Sequence, residues 1–264
     1  MLAVERRNLI LEKLQDEKKV VVSELSILFD VSEETIRRDL DKLDKEGLAV
    51  KSYGGAVLSE NISLDMPFNV RKKRNMKGKK IIGDILNDLI QEGEHIILDP
   101  STTAVAIVKS LKTKKKLTVI TNSIEVLLEL SDVSGWDIIS TGGTLRENYL
   151  ALVGPKATNV IESFNADKVI LSCKGMDMEK GLTDSNELVA EVKQVMLKSA
   201  GTRILAADHT KFNKIAFSKI CSLSDIDMVV TDIRPSDEWM RYFEEKGIEC
   251  LYGKETDEDH SICE

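Results

Sequence analysis

Two sets of residues in this chain have the types and spacing for recognition chemistry. The first lies in VSEETIRRDLDKL, residues 31–43. At about 100° per residue, Ile36, Leu40 and Leu43 share one stripe of a helix, with Arg38, Lys42 and Lys45 on the opposite face. Thr35 and Arg37 flank that face. If the apolar stripe packs inward, Thr35, Arg38 and Lys42 project outward. Short polar and cationic side chains on the first turns suit base edges in a major groove.

The second set falls at the ends of short apolar runs: Asp99-Pro-Ser-Thr-Thr, Thr121-Asn122-Ser, Thr141-Gly142-Gly143, Cys173-Lys174-Gly175-Met-Asp177 and Asp208-His-Thr-Lys211. Ser101, Thr102 and Thr103 open a predicted helix, as do Asn122 and Ser123. Helix N-terminal amides with hydroxyls make an anion site, and glycines let backbone amides approach a ligand. Arg146, Lys174 and Lys211 add positive charge. Asp99, Asp177, Glu187 and Asp208 can accept hydrogen bonds from sugar hydroxyls or hold those cations. A single Ser-Thr-Thr or Thr-Gly-Gly is an ordinary cap or turn. Their coincidence at several strand ends points to a pocket for a small polyhydroxylated anion such as a phosphosugar.

The elements that position these residues fall into two groups. Residues 4–16 have helical spacing, Val20 to Val22 form a β-branched run, and Ser23 caps a helix burying Leu25, Leu28 and Phe29. Ser32 caps the next helix, which carries Glu33 and Glu34 in its first turn and ends at Gly47. Strands at 48–50 and 56–58 flank Lys51-Ser52-Tyr53-Gly54-Gly55. This order predicts a winged helix-turn-helix domain over 1–58, followed by a linker over 59–70. The basic run from Arg71 to Lys80 then leads into an amphipathic helix; it reads as a solvated face or as a supplementary phosphate-contacting surface. Strands are expected at 96–99, 117–121, 137–140, 169–173, 204–208, 228–231 and 249–252, with helices at 102–111, 123–130, 186–200 and 236–246. That alternation predicts a doubly wound, mostly parallel α/β domain over 71–253. In such sheets ligands bind beyond the carboxyl ends of the strands. Residues 254–264 form a polar tail.

Composition narrows the classes. Of 264 residues, 42% are hydrophobic and 31% charged, which suits a folded protein with a sizeable core. No apolar run is long enough for a membrane span, and the amino terminus has no signal-type apolar segment, so a cytoplasmic protein is expected. Four scattered cysteines and three histidines lack metal-ligand spacing, so neither a metal nor another cofactor is called for. The net charge of −8 argues weakly against nucleic acid, and residues 1–58 carry ten lysines and arginines against twelve aspartates and glutamates. What matters is whether one face is basic. From physics alone, a DNA-reading helix and a solvated protein-contact helix stand level.

A family resemblance separates them. Val31 to Leu43, then Gly47, Leu48 and Tyr53-Gly54-Gly55-Ala56, closely resemble the amino-terminal module of DeoR-type bacterial transcriptional regulators. The resemblance implies that Thr35, Arg37 and Arg38 contact DNA, with Lys42 beside them on the outward face, and that Lys51, Ser52 and Tyr53 form the wing. Members of that family often have arginine and histidine in the wing, where Lys51 is here the only firm cation. From Arg71 to Gly253 the chain is similar to the family's effector domain, which shares its fold with ribose-5-phosphate isomerase and acyl-CoA transferases. The matching positions are Asp99, Ser101 to Thr103, Thr121-Asn122, Gly142-Gly143, Lys174-Gly175, Asp177, Gly181 to Thr183, Asp208 and Lys211. The implied protein is a repressor of a sugar-catabolism operon, binding double-stranded operator DNA as a homodimer or larger homo-oligomer and responding to a phosphorylated sugar. The rival reading is a phosphosugar isomerase using Asp99, Asp177, Glu187, Lys174 and Lys211 for proton transfer.

Overall fold

The computed structural model describes residues 2–45, 48–58 and 67–253. They form two compact units, one ending at Arg74 and the other starting at Asn75. The smaller unit runs α1 (Ala3–Glu17), β1 (Lys19–Val21), α2 (Val22–Phe29), α3 (Glu33–Lys45), β2 (Ala49–Ser52), β3 (Gly55–Leu58) and α4 (Phe68–Lys73). Its three strands lie in the antiparallel order β1-β3-β2. Ile36, Leu40 and Leu43 of α3 are buried against Ile10, Leu11 and Leu14 of α1 and Leu25 of α2, as the helical stripe predicts. Arg6 and Arg7 of α1 pair with buried Asp39 of α3, so an acidic residue next to the exposed arginines fastens the helix rather than facing solvent.

Several expectations need correction here. Ser23 lies inside α2, whose N-cap is Val21, because β1 runs directly into the helix. Leu28 is exposed at 59%, whereas Phe29 is half-buried and packs against the core that Val22 and Leu25 enter. The expected linker 59–70 is cut short by α4. Phe68 and Val70 bury their side chains, and Val70 joins the α1–α3 core, so the helical period begins just after Pro67. The basic run is also split, because Asn75 takes a left-handed backbone between α4 and the helix that starts at Met76. Gly47, residues 59–66 and the 254–264 tail lie outside the described residues.

The larger unit contains α5 (Met76–Leu89), β4 (His95–Leu98), α6 (Thr102–Leu111), β5 (Thr118–Thr121), α7 (Ile124–Leu130), β6 (Asp137–Ser140), β7 (Thr144–Arg146) and β8 (Ala151–Val153). It continues with α8 (Pro155–Glu162), β9 (Ala166–Leu171), β10 (Gly175–Asp177), β11 (Gly181–Asp184), α9 (Glu187–Lys198), β12 (Ala200–Ala206), β13 (Ser218–Cys221), β14 (Met228–Thr231), α10 (Asp237–Lys246) and β15 (Glu249–Tyr252). The seven strands read from the sequence form one parallel sheet in the order β15-β14-β12-β9-β4-β5-β6. The near-continuous Val, Ile and Leu content of the inner strands reflects burial on both faces, whereas the central residues of the edge strands β6 and β15 are only half-buried. Two small antiparallel sheets, β10-β11-β13 and β7-β8, add to the expected strands.

This order decides where a ligand fits. The chain steps outward from β4 through β5 to β6, then returns to the other side of β4 and steps outward through β9, β12, β14 and β15. Connections therefore leave the β4 and β9 ends in opposite directions, which opens a crevice at their carboxyl ends.

Candidate functional site

The crevice is built around Asp99, which follows β4 and is fully buried. Its Oδ1 accepts from Ser101 N at 3.2 Å, and its Oδ2 accepts from Ser172 N, beyond β9, at 2.9 Å. Lys193 of α9 completes the arrangement. Its Nζ donates to Ser172 O at 2.7 Å and Asp184 Oδ2 at 2.8 Å, and lies 3.1 Å from Asp99 Oδ2. Asp184 also accepts from Tyr149 Oη at 3.1 Å and Ser185 N at 2.8 Å. Burial opposes charge on Lys193, yet the Asp184 and Asp99 carboxylates outweigh it and hold the ammonium above the ordinary lysine range. Burial likewise disfavours ionised Asp184, but Lys193 and Lys174 keep its carboxyl below the usual aspartate range. The floor of the crevice is a fixed Asp–Lys–Asp triad.

Around this floor the expected residues sort into those that support and those that face outward. Ser101 caps α6 by accepting from Ala104 N, and Thr102 and Thr103 occupy its buried first turn. Thr121 Oγ1 donates to Leu98 O and accepts from Ser123 N, which ties β5 to β4. Asn122 donates through Nδ2 to Leu152 O, while its buried Oδ1 has no hydrogen-bond partner. Ser185 Oγ is orphaned in the same way. Ligand hydroxyls or bound water would satisfy such groups. Lys174 lies over the Tyr149 ring at 5.2 Å, on the Asp184 side. Gly142 and Gly143, both at positive φ, are exposed beyond β6, and Arg146 is exposed on β7.

Other expected members have structural work instead. Gly175 lies within β10, where an added Cβ would stand 2.3 Å from Lys214 O. Asp177 accepts from Glu179 N and Lys180 N, closing the β10–β11 turn. Glu187 is exposed at the first position of α9. Asp208, beyond β12, caps a short 3-10 turn over His209–Lys211.

Cys173 sits inside this ring, and burial pushes its thiol to about 12 against the opposing pull of Lys193 and Lys211. The thiolate is the reactive form. Iodoacetamide at pH 8 should leave Cys173 unmodified in the native protein and label it after denaturation, as peptide mass spectrometry would report. Native labelling at a rate near that of a free thiol would show that the site is open and the burial argument wrong.

On the smaller unit, α3 presents Arg37 and Arg38 with side-chain exposures of 53% and 78%. Each pairs with a carboxylate one turn earlier, Arg37 with Glu33 at 2.7 Å and Arg38 with Glu34 at 3.4 Å. Lys42 is exposed, Thr35 is half-buried beside Ser32, and Tyr53 stands fully exposed at the tip of the β2–β3 hairpin. Lys51 pairs with Asp41, and Ser52 closes the hairpin opposite Gly55.

Both units match family models. Residues 6–61 match the DeoR-like helix-turn-helix domain, and residues 74–233 match the DeoR C terminal sensor domain. The chain belongs to the DeoR family. It is a DNA-binding transcriptional regulator. An uncharacterized HTH-type transcriptional regulator of Bacillus subtilis (strain 168), YulB, is 42% identical over 232 residues, covering 88% of this chain and 90% of that one. The L-fucose operon activator of Haemophilus influenzae is 33% identical over 243 residues, covering 92% and 97%. Among solved structures, ribose 5-phosphate isomerase A from Methanocaldococcus jannaschii aligns with a TM-score of 0.38 at 11% identity, over 51% of this chain and 52% of that one. No helix among the described residues is long and apolar enough to cross a membrane.

Three residues central to this DeoR-family sensor domain escaped the sequence reading: Lys193, Asp184 and Tyr149. For Lys193 a signal existed. It stands four residues after Val189 and three before Met196, on the stripe that α9 buries, where a lysine without a partner would be very costly.

Proposed function

We propose that this regulator represses a sugar- or sugar-phosphate-catabolism operon and that a phosphorylated sugar, bound at the β4–β9 crevice, changes its operator affinity. The observation that carries this reading is the switch point itself. There the first turn of α6, the orphaned Asn122 Oδ1 and the cations Lys174 and Lys211 surround the ends of parallel strands. Helix amides and cations suit a phosphate, and the carbonyl and hydroxyl oxygens suit sugar hydroxyls. The name of the Haemophilus relative is consistent with a sugar operon. Thr35, Arg37, Arg38 and Lys42 would read the major groove, with Lys51, Ser52 and Tyr53 as the wing. Symmetric half-sites would need at least a homodimer.

An isomerase reading is less well supported. The carboxylate oxygens of Asp99 and Asp184 are occupied by Lys193, backbone amides and Tyr149, which leaves neither ready to remove a substrate proton.

The test is fluorescence anisotropy with labelled DNA from upstream of the gene, at two salt concentrations, with and without a panel of phosphorylated sugars. Salt-sensitive, selective binding that one sugar phosphate weakens is expected. Selective binding unmoved by the panel would remove the crevice reading, and a strengthening would reverse the direction of control.

A further inference from the structure

Asp232 follows β14 and is 3% exposed. Its Oδ1 accepts from His209 N at 2.7 Å, and its Oδ2 meets His209 Nδ1 at 2.8 Å. The same Oδ2 accepts from Asn75 Nδ2 at 2.9 Å. Asn75 in turn caps α5, its Oδ1 accepting from Gly78 N at 3.3 Å. The fit is close, for a Cβ on Gly78 would stand 2.3 Å from Asp232 Oδ2. One carboxylate therefore ties the turn after β12 to the first turn of α5.

Both ends of this tie matter. His209 lies between Asp208 and Lys211, on the turn assigned to the effector crevice, and both of those charges act on Cys173 within it. Asn75 is the first residue of the larger unit, bonded directly to Arg74, the last of the smaller. Its φ of 44° is left-handed, a conformation that asparagine adopts more readily than other non-glycine residues.

We propose that Asp232, gripped by His209 on one side and holding Asn75 on the other, carries the state of the effector crevice to the junction between the two units. This rests on the crevice reading above. A ligand that draws on Lys211 turns the 209–211 segment. His209 holds Asp232 through both its main chain and its ring, so the carboxylate moves with that segment and its hold on Asn75 changes. The junction then has two arrangements, Asn75 held or released, and a ligand that prefers one shifts the population.

Asn75→Gly keeps the left-handed backbone accessible and removes the amide that reaches Asp232. Calorimetry and operator anisotropy would be run on the full chain with glucose 6-phosphate, fructose 1-phosphate and ribose 5-phosphate. Asn75→Gly should bind the active sugar phosphate as the unsubstituted protein does. Its operator response should fall from the roughly 5–150-fold typical of allosteric coupling to under about 2-fold. Full response in the variant overturns the proposal while leaving the crevice reading intact. If none of the three compounds binds the unsubstituted protein, the crevice reading fails as it stands, and a ligand-free arm still decides the tie. There, His209→Ala should change operator affinity by about 5-fold or more, within the usual coupling range, and speed hydrogen exchange at Gly78 to Lys80. Exchange changes confined to 208–212, with unchanged operator affinity, would overturn it.

Discussion

Replacing Lys193 by methionine should destabilise the larger unit by about 3–5 kcal/mol, the usual cost of removing one partner from a buried ion pair. At roughly 2–4 °C per kcal/mol for a unit of this size, its melting midpoint should fall by about 10 °C. Both tryptophans, Trp136 and Trp239, lie in this unit, so their fluorescence follows its unfolding alone. Methionine fills the space of the lysine stem but leaves Asp99 and Asp184, at 0% and 2% exposure, with no cation between them. Asp184→Asn should cost less, because Asp99 and Lys193 remain a neutral pair and the new side-chain oxygen can still accept from Tyr149 and Ser185. If Asp184→Asn proves the more damaging change, loss of the acceptor that faces Lys193 Nζ outweighs charge balance at the site.

The pH dependence follows from the same shifts. Lys193 is raised in the folded state, so its contribution is complete below the ordinary lysine value and is lost only as pH rises through the raised one. Asp184 is depressed, so its contribution is present above the ordinary aspartate value and is lost as pH falls through the depressed one. With reference values of roughly 4 and 10 for the two groups, the Lys193–Asp184 pair adds no pH dependence to the intact protein between about pH 5 and 9. Lys193→Met should behave differently. A desolvated Asp184 carboxylate without its cation favours protonation, so the folded variant binds protons more readily than the unfolded chain, and its deficit should shrink from about pH 8 to about pH 5. A deficit that is the same at both values would count against unpaired charge as its source.

The sequence made the frame of this crevice legible and hid its centre. Seven short runs, each ending in polar residues, locate the strands of the main sheet, and the inner ones are rich in Val, Ile and Leu because both their faces are buried. Asp99 was identifiable as a strand-end carboxylate, but its partners were not. Ser172 and Lys193 are 73 and 94 positions away, and only the β4–β9 pairing together with the return of α9 brings them in. The strands β7, β8, β10, β11 and β13, of three or four residues with no more than two Val, Ile or Leu in any of them, carry no such apolar run. Gly175 and Asp177 looked like ligand-facing residues because a glycine and a carboxylate after a strand serve a hairpin as readily as a phosphate. In the smaller unit, α3 was readable throughout, since Ile36, Leu40 and Leu43 alone define its buried stripe. α4 was not, because only Phe68 and Val70 mark it after a stretch without pattern.

Reversing both arginines, Arg37→Glu with Arg38→Glu, should abolish selective operator binding while leaving the protein folded. Each arginine that reaches a base or phosphate is worth about 1–3 kcal/mol, so losing two predicts a drop of at least about 30-fold, before counting repulsion from the new carboxylates. The buried face of α3 is untouched, and like charges one turn apart cost only about 0.2–0.5 kcal/mol per pair. The structure adds a complementary expectation. Arg37 and Arg38 are paired with Glu33 and Glu34 in the free protein, so DNA must compete with carboxylates on the same helix. Glu33→Gln with Glu34→Gln should therefore tighten binding to operator and non-operator DNA alike, since phosphate attraction carries no sequence information. Anisotropy titrations across a salt series would separate the two effects. Arginine reversal should flatten the slope of log K against log salt by about 0.9 for each phosphate no longer neutralised, whereas the glutamine variant should keep or steepen it. Unchanged operator affinity after arginine reversal would remove α3 as the reading helix and leave the wing, with Lys51 and Tyr53, as the DNA-facing element.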